Sequence, residues 1–175
     1  MFKATTAAIV GLIAAVLIYA ATRPDVFRVE RTAHIEASPE RIFPHINDLD
    51  KFAAWSPYEK KDPAMKKTRS GPPAGKGAAM AWDGDKNVGT GRLEIVDSSP
   101  PSRVTMNLDM LRPFEAHNVV EFTLQPNGGA TNVTWAMQGH TPYIAKVVHI
   151  FLDMDRMVGT DFEIGLANLK AIAEK

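Results

Sequence analysis

Arg103-Val104-Thr105-Met106-Asn107-Leu108-Asp109-Met110-Leu111 alternates apolar and polar side chains without a break. Successive strand residues point to opposite faces, so Val104, Met106, Leu108 and Met110 share a dry face and Thr105, Asn107 and Asp109 a wet one. An antiparallel sheet built this way needs cover on one side only. The expected architecture is therefore α+β, a sheet with helix packed across one face.

Runs of similar character flank this stretch: Ala78 to Trp82, Gly91 to Val96, Phe114 to Leu124 and Thr131 to Met137. Gly84, Asn87 and Gly89, then Ser98-Ser99-Pro100-Pro101, Arg112-Pro113 and Asn127-Gly128-Gly129 separate them, which describes an antiparallel meander. Upstream, Val26 to Ala37 sets Phe27, Val29, Ala33 and Ile35 against Arg28, Glu30, Thr32, His34 and Glu36, a half-buried strand. Ser38-Pro39 then offers an N-cap and a proline at the first helical position, opening a short helix with Ile42, Phe43 and Ile46. Leu49, Phe52 and Trp55 predict a second brief helix, and residues 56–77 a proline-rich loop with a short strand near Thr68.

The cover for the sheet comes last. Thr141-Pro142 starts a helical pattern in which Tyr143, Val147, Phe151, Met154, Val158, Phe162, Leu166, Leu169 and Ile172 form one stripe. Gly159 and Gly165 each cost about 1 kcal/mol of helix propensity, which predicts a kink or a close backbone approach at one of them.

The N-terminus reads differently. Ala4 to Ala21 holds no charged residue and carries Ile9, Val10, Leu12, Ile13, Val16, Leu17 and Ile18. As a helix this run reaches roughly 27 Å, the thickness of a thin hydrocarbon core. Tyr19 stands where an interfacial aromatic belongs, and Arg23-Pro24 ends the segment. The expectation is one transmembrane helix within residues 1–23, a single-pass anchor for a domain of residues 24–175. The alternative is a cleavable signal peptide, with Lys3 as its basic region and Ala7 to Ile18 as its apolar one; against it, cutting after Ala20 or Ala21 puts Ile18 or Tyr19 at the −3 position. Lys3 on one side and Arg23, Arg28 and Arg31 on the other leave the side of the membrane open.

Composition removes several function classes. Twenty basic and twenty acidic residues cancel, so no global field draws nucleic acid. The absence of cysteine excludes disulfides, a thiolate nucleophile and cysteine-based metal sites. His34, His45, His117, His140 and His149 show no ligand spacing, so neither metal nor cofactor is expected. Gly71 to Gly77 is no phosphate loop, because the spacing before Lys76 is one short and Gly77 replaces Ser or Thr.

The order of elements and several local sequences resemble the START-like superfamily, the polyketide cyclase/dehydrase and lipid-transport proteins. The residues concerned are 34–43, His-Ile-Glu-Ala-Ser-Pro-Glu-Arg-Ile-Phe; Trp55-Ser56-Pro57-Tyr58-Glu59; Gly71-Pro72 with Gly75-Lys76-Gly77; and Asp161 to Lys170. The resemblance runs over residues 26–174 and is nearest to the bacterial polyketide-cyclase-like branch. It implies a helix-grip fold, a curved antiparallel sheet wrapped around a long C-terminal helix, with an apolar cavity for lipids, sterols, polyketides or similar molecules. A minority of the superfamily are enzymes.

Met80, Trp82, Met106, Met110, Trp135 and Met137 fall on the inward phase of their strands, opposite Phe151 and Met154 of the helix stripe. Such soft side chains repack around irregular apolar guests, and they equally fill a core. Trp55 and Tyr58 complete the expected lining as its rim. The function expected is binding of a small hydrophobic ligand at a membrane. An acid–base enzyme using Tyr58, His45 or Asp161 is the first alternative, and a module for a protein partner the second.

Overall fold

The computed structural model describes the backbone from Phe2 to Lys175 and the side chains of Thr5, Thr6 and residues 9–175. The elements are α1 (Phe2–Ala21), β1 (Val26–Ile35), α2 (Pro39–Asn47), α3 (Leu49–Trp55), α4 (Tyr58–Lys61), β2 (Lys66–Ser70), β3 (Ala79–Asp83), β4 (Thr90–Ser99), β5 (Arg103–Arg112), β6 (Ala116–Asn127), β7 (Ala130–His140), α5 (Tyr143–Phe151) and α6 (Met154–Ala173). The strands form one antiparallel sheet in the order β1-β7-β6-β5-β4-β3-β2, so the first strand closes against the last. A bulge between Ile95 and Asp97 interrupts the β4–β5 register.

The alternation of β5 sorts as its sequence requires. Val104 and Met106 are fully buried, Leu108 packs at the margin of the core, and Thr105, Asn107 and Asp109 lie on the other face. α2 and α3 contribute Ile42, Ile46, Leu49, Phe52 and Trp55 to the covering layer, and α6 contributes Phe162, Leu166, Leu169 and Ala173. Asp48 starts α3 by accepting from the backbone N–H groups of Asp50 and Lys51.

Both α6 glycines are sites of close approach. A Cβ on Gly165 would lie 2.6 Å from the Trp135 ring, and one on Gly159 would lie 2.0 Å from the Arg31 guanidinium. Phe162, one turn from Gly165, stacks on Trp135 with centroids 4.1 Å apart and planes 12° from parallel. Arg31 bonds Asp155 at 2.9 Å and Glu163 at 2.8 Å, tying β1 to α6.

Three expectations need correction. The C-terminal stripe is not one helix: Leu152 is extended (φ −116°, ψ 119°), and Asp153 caps a new helix by accepting from the Arg156 N–H. A side-chain acceptor aimed at N–H groups free at a helix start competes with helix continuation, and periodicity alone does not register it. Consequently Tyr143 and Phe151, assigned to the buried stripe, are exposed. Phe114 lies in the β5–β6 turn rather than in a strand and is 82% exposed.

α1 extends over 20 residues. Among the described residues, which leave out the side chains of residues 1–4, 7 and 8, no helix is long and apolar enough to cross a membrane. Lys3 and Ala7, invoked by the signal-peptide alternative, have side chains outside the described residues.

Phe162→Ala should cost about 3–5 kcal/mol, the usual loss for a fully buried ring. Gly165→Ala should destabilise as well, because overpacking against Trp135 outweighs the ~1 kcal/mol gain in helix propensity. Urea unfolding of the purified chain measures both.

Candidate functional site

The space between the sheet and α6 is filled by side chains. Trp55, Met80, Met106, Trp135 and Met137 are buried members of the core, and Tyr58, Trp82 and Met110 are half-buried. Phe52, Trp55, Phe122, Trp135 and Phe162 interlock there, with Trp55 edge-on to Trp135 at 5.6 Å and to Phe122 at 6.0 Å. Trp55 Nε1–H donates to the His45 carbonyl at 2.8 Å and Trp82 Nε1–H to the Val88 carbonyl at 3.2 Å. Both tryptophans are thereby pinned, while the buried Trp135 Nε1–H has no partner. Trp55, Met80, Met106, Trp135 and Met137 thus lie in this packed interior, and Tyr58 and Trp82 pack against it.

A groove of about 560 Å³ lies at the β1 edge of that layer. Phe151 and Met154 line it, and so do residues from three other places: Arg23 and Pro24 after α1, Val26 to Val29 of β1, and Thr141, Lys146, His149, Ile150 and Leu152 on or beside α5. The break at Leu152 and Asp153 sits on its wall. Phe27 meets the His149 ring edge-on at 6.3 Å, and Phe27, Val29, Ile150, Leu152 and Met154 supply apolar surface.

Polar groups border the groove. Lys146, the only buried residue of α5, donates from Nζ to Asp25 Oδ1 at 2.5 Å. The Asp25 carbonyl accepts from the Thr141 N–H at 2.7 Å, which brings the three residues together. The lysine's hydrogen bond holds the Asp25 carboxyl below its ordinary range. Thr141 Oγ1 is buried without a partner. Asp155 is engaged by Arg31, whose hydrogen bonds lower the carboxyl's pKa. Arg28 pairs with Glu30 at 2.8 Å. Arg23 lies over the Tyr19 ring, 5.8 Å from its centroid.

Sequence reasoning missed Arg23, Phe27, Val29, Thr141, Lys146, His149, Ile150 and Leu152 as neighbours of one space. One signal was present. Lys146 is the sole Lys, Arg, Asp or Glu of Tyr143-Ile144-Ala145-Lys146-Val147-Val148-His149-Ile150-Phe151, and on a helix so apolar it marks the face turned toward a partner charge.

The acid–base candidates sit elsewhere. None of Tyr58, His45 and Asp161 lines the groove. Burial, with the Asp161 charge adding to it, pushes the Tyr58 phenol well above its ordinary pKa. Asp161 is held by Lys61 at 2.6 Å, and Lys61 also lies over the Tyr58 ring. Among the described residues no three His, Asp or Glu side chains are grouped to hold a metal ion.

A seven-stranded antiparallel sheet with α2, α3 and α6 across one face defines a START-like α+β protein of the helix-grip class. The sequence model of the polyketide cyclase / dehydrase and lipid transport family matches residues 26–174, and the chain belongs to that family. A protein of Chromobacterium violaceum is similar in structure, at 16% identity and a TM-score of 0.60, over 87% of this chain and 99% of that one. The Aha1 dimer of Colwellia psychrerythraea is similar at 18% identity and a TM-score of 0.58, over 85% of this chain and 96% of that one. A Mesorhizobium loti protein gives 16% and 0.60, over 83% and 95%. At these identities the likeness is one of fold. No curated protein sequence matches this chain significantly.

Three histidines should titrate away from the ordinary 6.5, two downward and one upward. His45 and His149 are lowered, chiefly by burial, and His117 is raised, chiefly by its hydrogen bond to Asp109. On acidification below about 6.5 the lowered pair withdraws stability as each is forced to charge. His117 acts the other way: its contribution is complete below that value and is lost as pH rises through its own raised pKa. A proton NMR titration of the ring signals checks all three directions.

Proposed function

We propose that this protein is a membrane-anchored binder of a small hydrophobic molecule, a lipid or lipid-like metabolite, and that the guest occupies the groove between β1, α5 and the start of α6. The observation that carries this reading is the groove itself. Its volume of about 560 Å³ falls in the usual range of ligand sites. Its apolar residues Phe27, Val29, Ile150, Leu152 and Met154 stand beside the charged or polar Arg23, Arg28, Thr141, Lys146, His149, Asp153 and Asp155, a mixed lining suited to a guest with both an apolar and a polar part. The family's description, which includes lipid transport, is consistent with it.

Magnitudes favour an amphiphilic guest over a plain hydrocarbon. Burying about 200 Å² of apolar surface yields only about 5 kcal/mol before the costs of association. A polar headgroup meeting Lys146 and Thr141 adds charge-assisted hydrogen bonds and fixes orientation. The groove begins at Arg23, directly after the uncharged run Ala4 to Ala21. In this reading α1 is the anchor, and the groove stands at the bilayer surface, where such guests are concentrated.

A photoactivatable fatty-acyl analogue, added to the full chain in lipid nanodiscs and mapped by peptide mass spectrometry, tests this. Adducts should fall within residues 23–29 and 141–155. Ile150→Trp, which fills the groove, should weaken the analogue about tenfold, or ~1.4 kcal/mol. Labelling that Ile150→Trp leaves unchanged, or that falls on Trp55, Trp135 and their neighbours, would overturn the placement.

A further inference from the structure

α5 is turned inside out. Its one buried side chain is Lys146, while Tyr143, Ile144, Val148 and Phe151 are exposed, Ile144 at 77% and Phe151 at 71%. Leu152, the next residue, is exposed as well. A helix at a water boundary turns its charges outward and its aliphatic groups inward, so this arrangement describes a surface built for a non-aqueous neighbour.

Three observations say which neighbour. First, the Tyr143 hydroxyl donates to the Leu17 carbonyl at 2.8 Å, which fixes the start of α5 beside the last turn of α1. The exposed apolar residues Ile13, Leu17 and Ile18 of α1 are thus brought near those of α5. Second, α5 has nine residues, about 13.5 Å as a helix, far too short to span a bilayer and suited to lying in its interface. Third, the register puts Phe27, Gly139, Asn118 and Leu108 in one row across the sheet. The β5–β6 turn therefore projects from the same end of the sheet as the α1 exit, and it carries Leu111 and Phe114, 55% and 82% exposed.

We propose that α5 and the β5–β6 turn seat in the headgroup layer of the bilayer that holds α1, with α5 lying along the surface and the groove mouth facing lipid. This rests on the anchored reading above and adds to it a second, monotopic contact. Tyr19 and Tyr143 then stand at the interface, where aromatic rings with a polar tip partition. Lys146 and His149 of α5 face the domain and its groove and stay out of lipid.

The chain has no cysteine, so single cysteines can be introduced and labelled with an environment-sensitive nitrobenzoxadiazole dye. Labels at Ile144, Val148 and Phe114 report the docking surface, one at Leu12 reports the anchor, and one at Thr68 on β2, the opposite edge strand, is the control. The full chain is reconstituted in phosphatidylcholine vesicles with and without spin-labelled acyl chains. The expected result is a blue shift and lipid-dependent quenching at positions 144, 148 and 114, as at position 12, with neither at position 68. Quenching at position 12 while positions 144 and 148 behave like position 68 would overturn the docking and leave the anchor standing. Loss of quenching at position 12 as well would overturn both. A blue shift at positions 144 and 148 without lipid quenching would mean that protein covers the face, and would overturn the proposal too.

Discussion

The stack of Phe162 on Trp135 governs where the rest of the molecule can go. It brings α6 against β7 closely enough that a Cβ at position 165 would lie 2.6 Å from the Trp135 ring, and it draws Trp55, Phe52 and Phe122 into one aromatic block. These interlocked rings lie between the inner face of the sheet and α6. A groove lies at the sheet edge, where the C-terminal helical pattern breaks at Leu152 and Asp153.

That edge is held open by charges rather than by rings. Arg31 reaches over Gly159 to Asp155 and Glu163 and ties β1 to α6 on one side of the groove. Lys146 reaches Asp25 and ties α5 to the segment that leaves α1 on the other. Asp155 and Asp25 are held in the charged form by Arg31 and Lys146, so both ties are polar contacts beside the groove. With Lys146 in its one buried position, α5 turns Tyr143, Ile144, Val148 and Phe151 outward. The groove and the exposed apolar face are two consequences of one packing choice.

Much of the fold was legible in the sequence because it follows from period and punctuation. The alternation in β5, the turn residues between strands and the Ser38-Pro39 opening of α2 each fix a local choice that the sheet then confirms. A kink or a close approach was legible at one of Gly159 and Gly165; that both are close approaches, and to which partners, is a tertiary fact. The site was less legible. A run from Tyr143 to Ile172 at helical spacing looks continuous, and only the cap at Asp153 divides it; the first half then exchanges its buried and exposed faces. The inward phase of Trp135, Met106 and Met137 was correctly read, but period cannot tell a wall from a filling. Lys146 and Asp25 are 121 positions apart, and no local pattern announces their pairing.

The account therefore separates a dry, filled interior from a smaller working corner placed beside α1. Intermolecular NMR contacts between lipid acyl chains and methyl-labelled side chains of the full chain in bicelles test this separation most directly. The account predicts contacts at the methyls of Val29 and Ile150 in the groove and none at Val133, Leu166 or Leu169 in the core. Contacts at the core methyls with silence at Val29 and Ile150 would contradict it, and would return the guest to the space between sheet and helix.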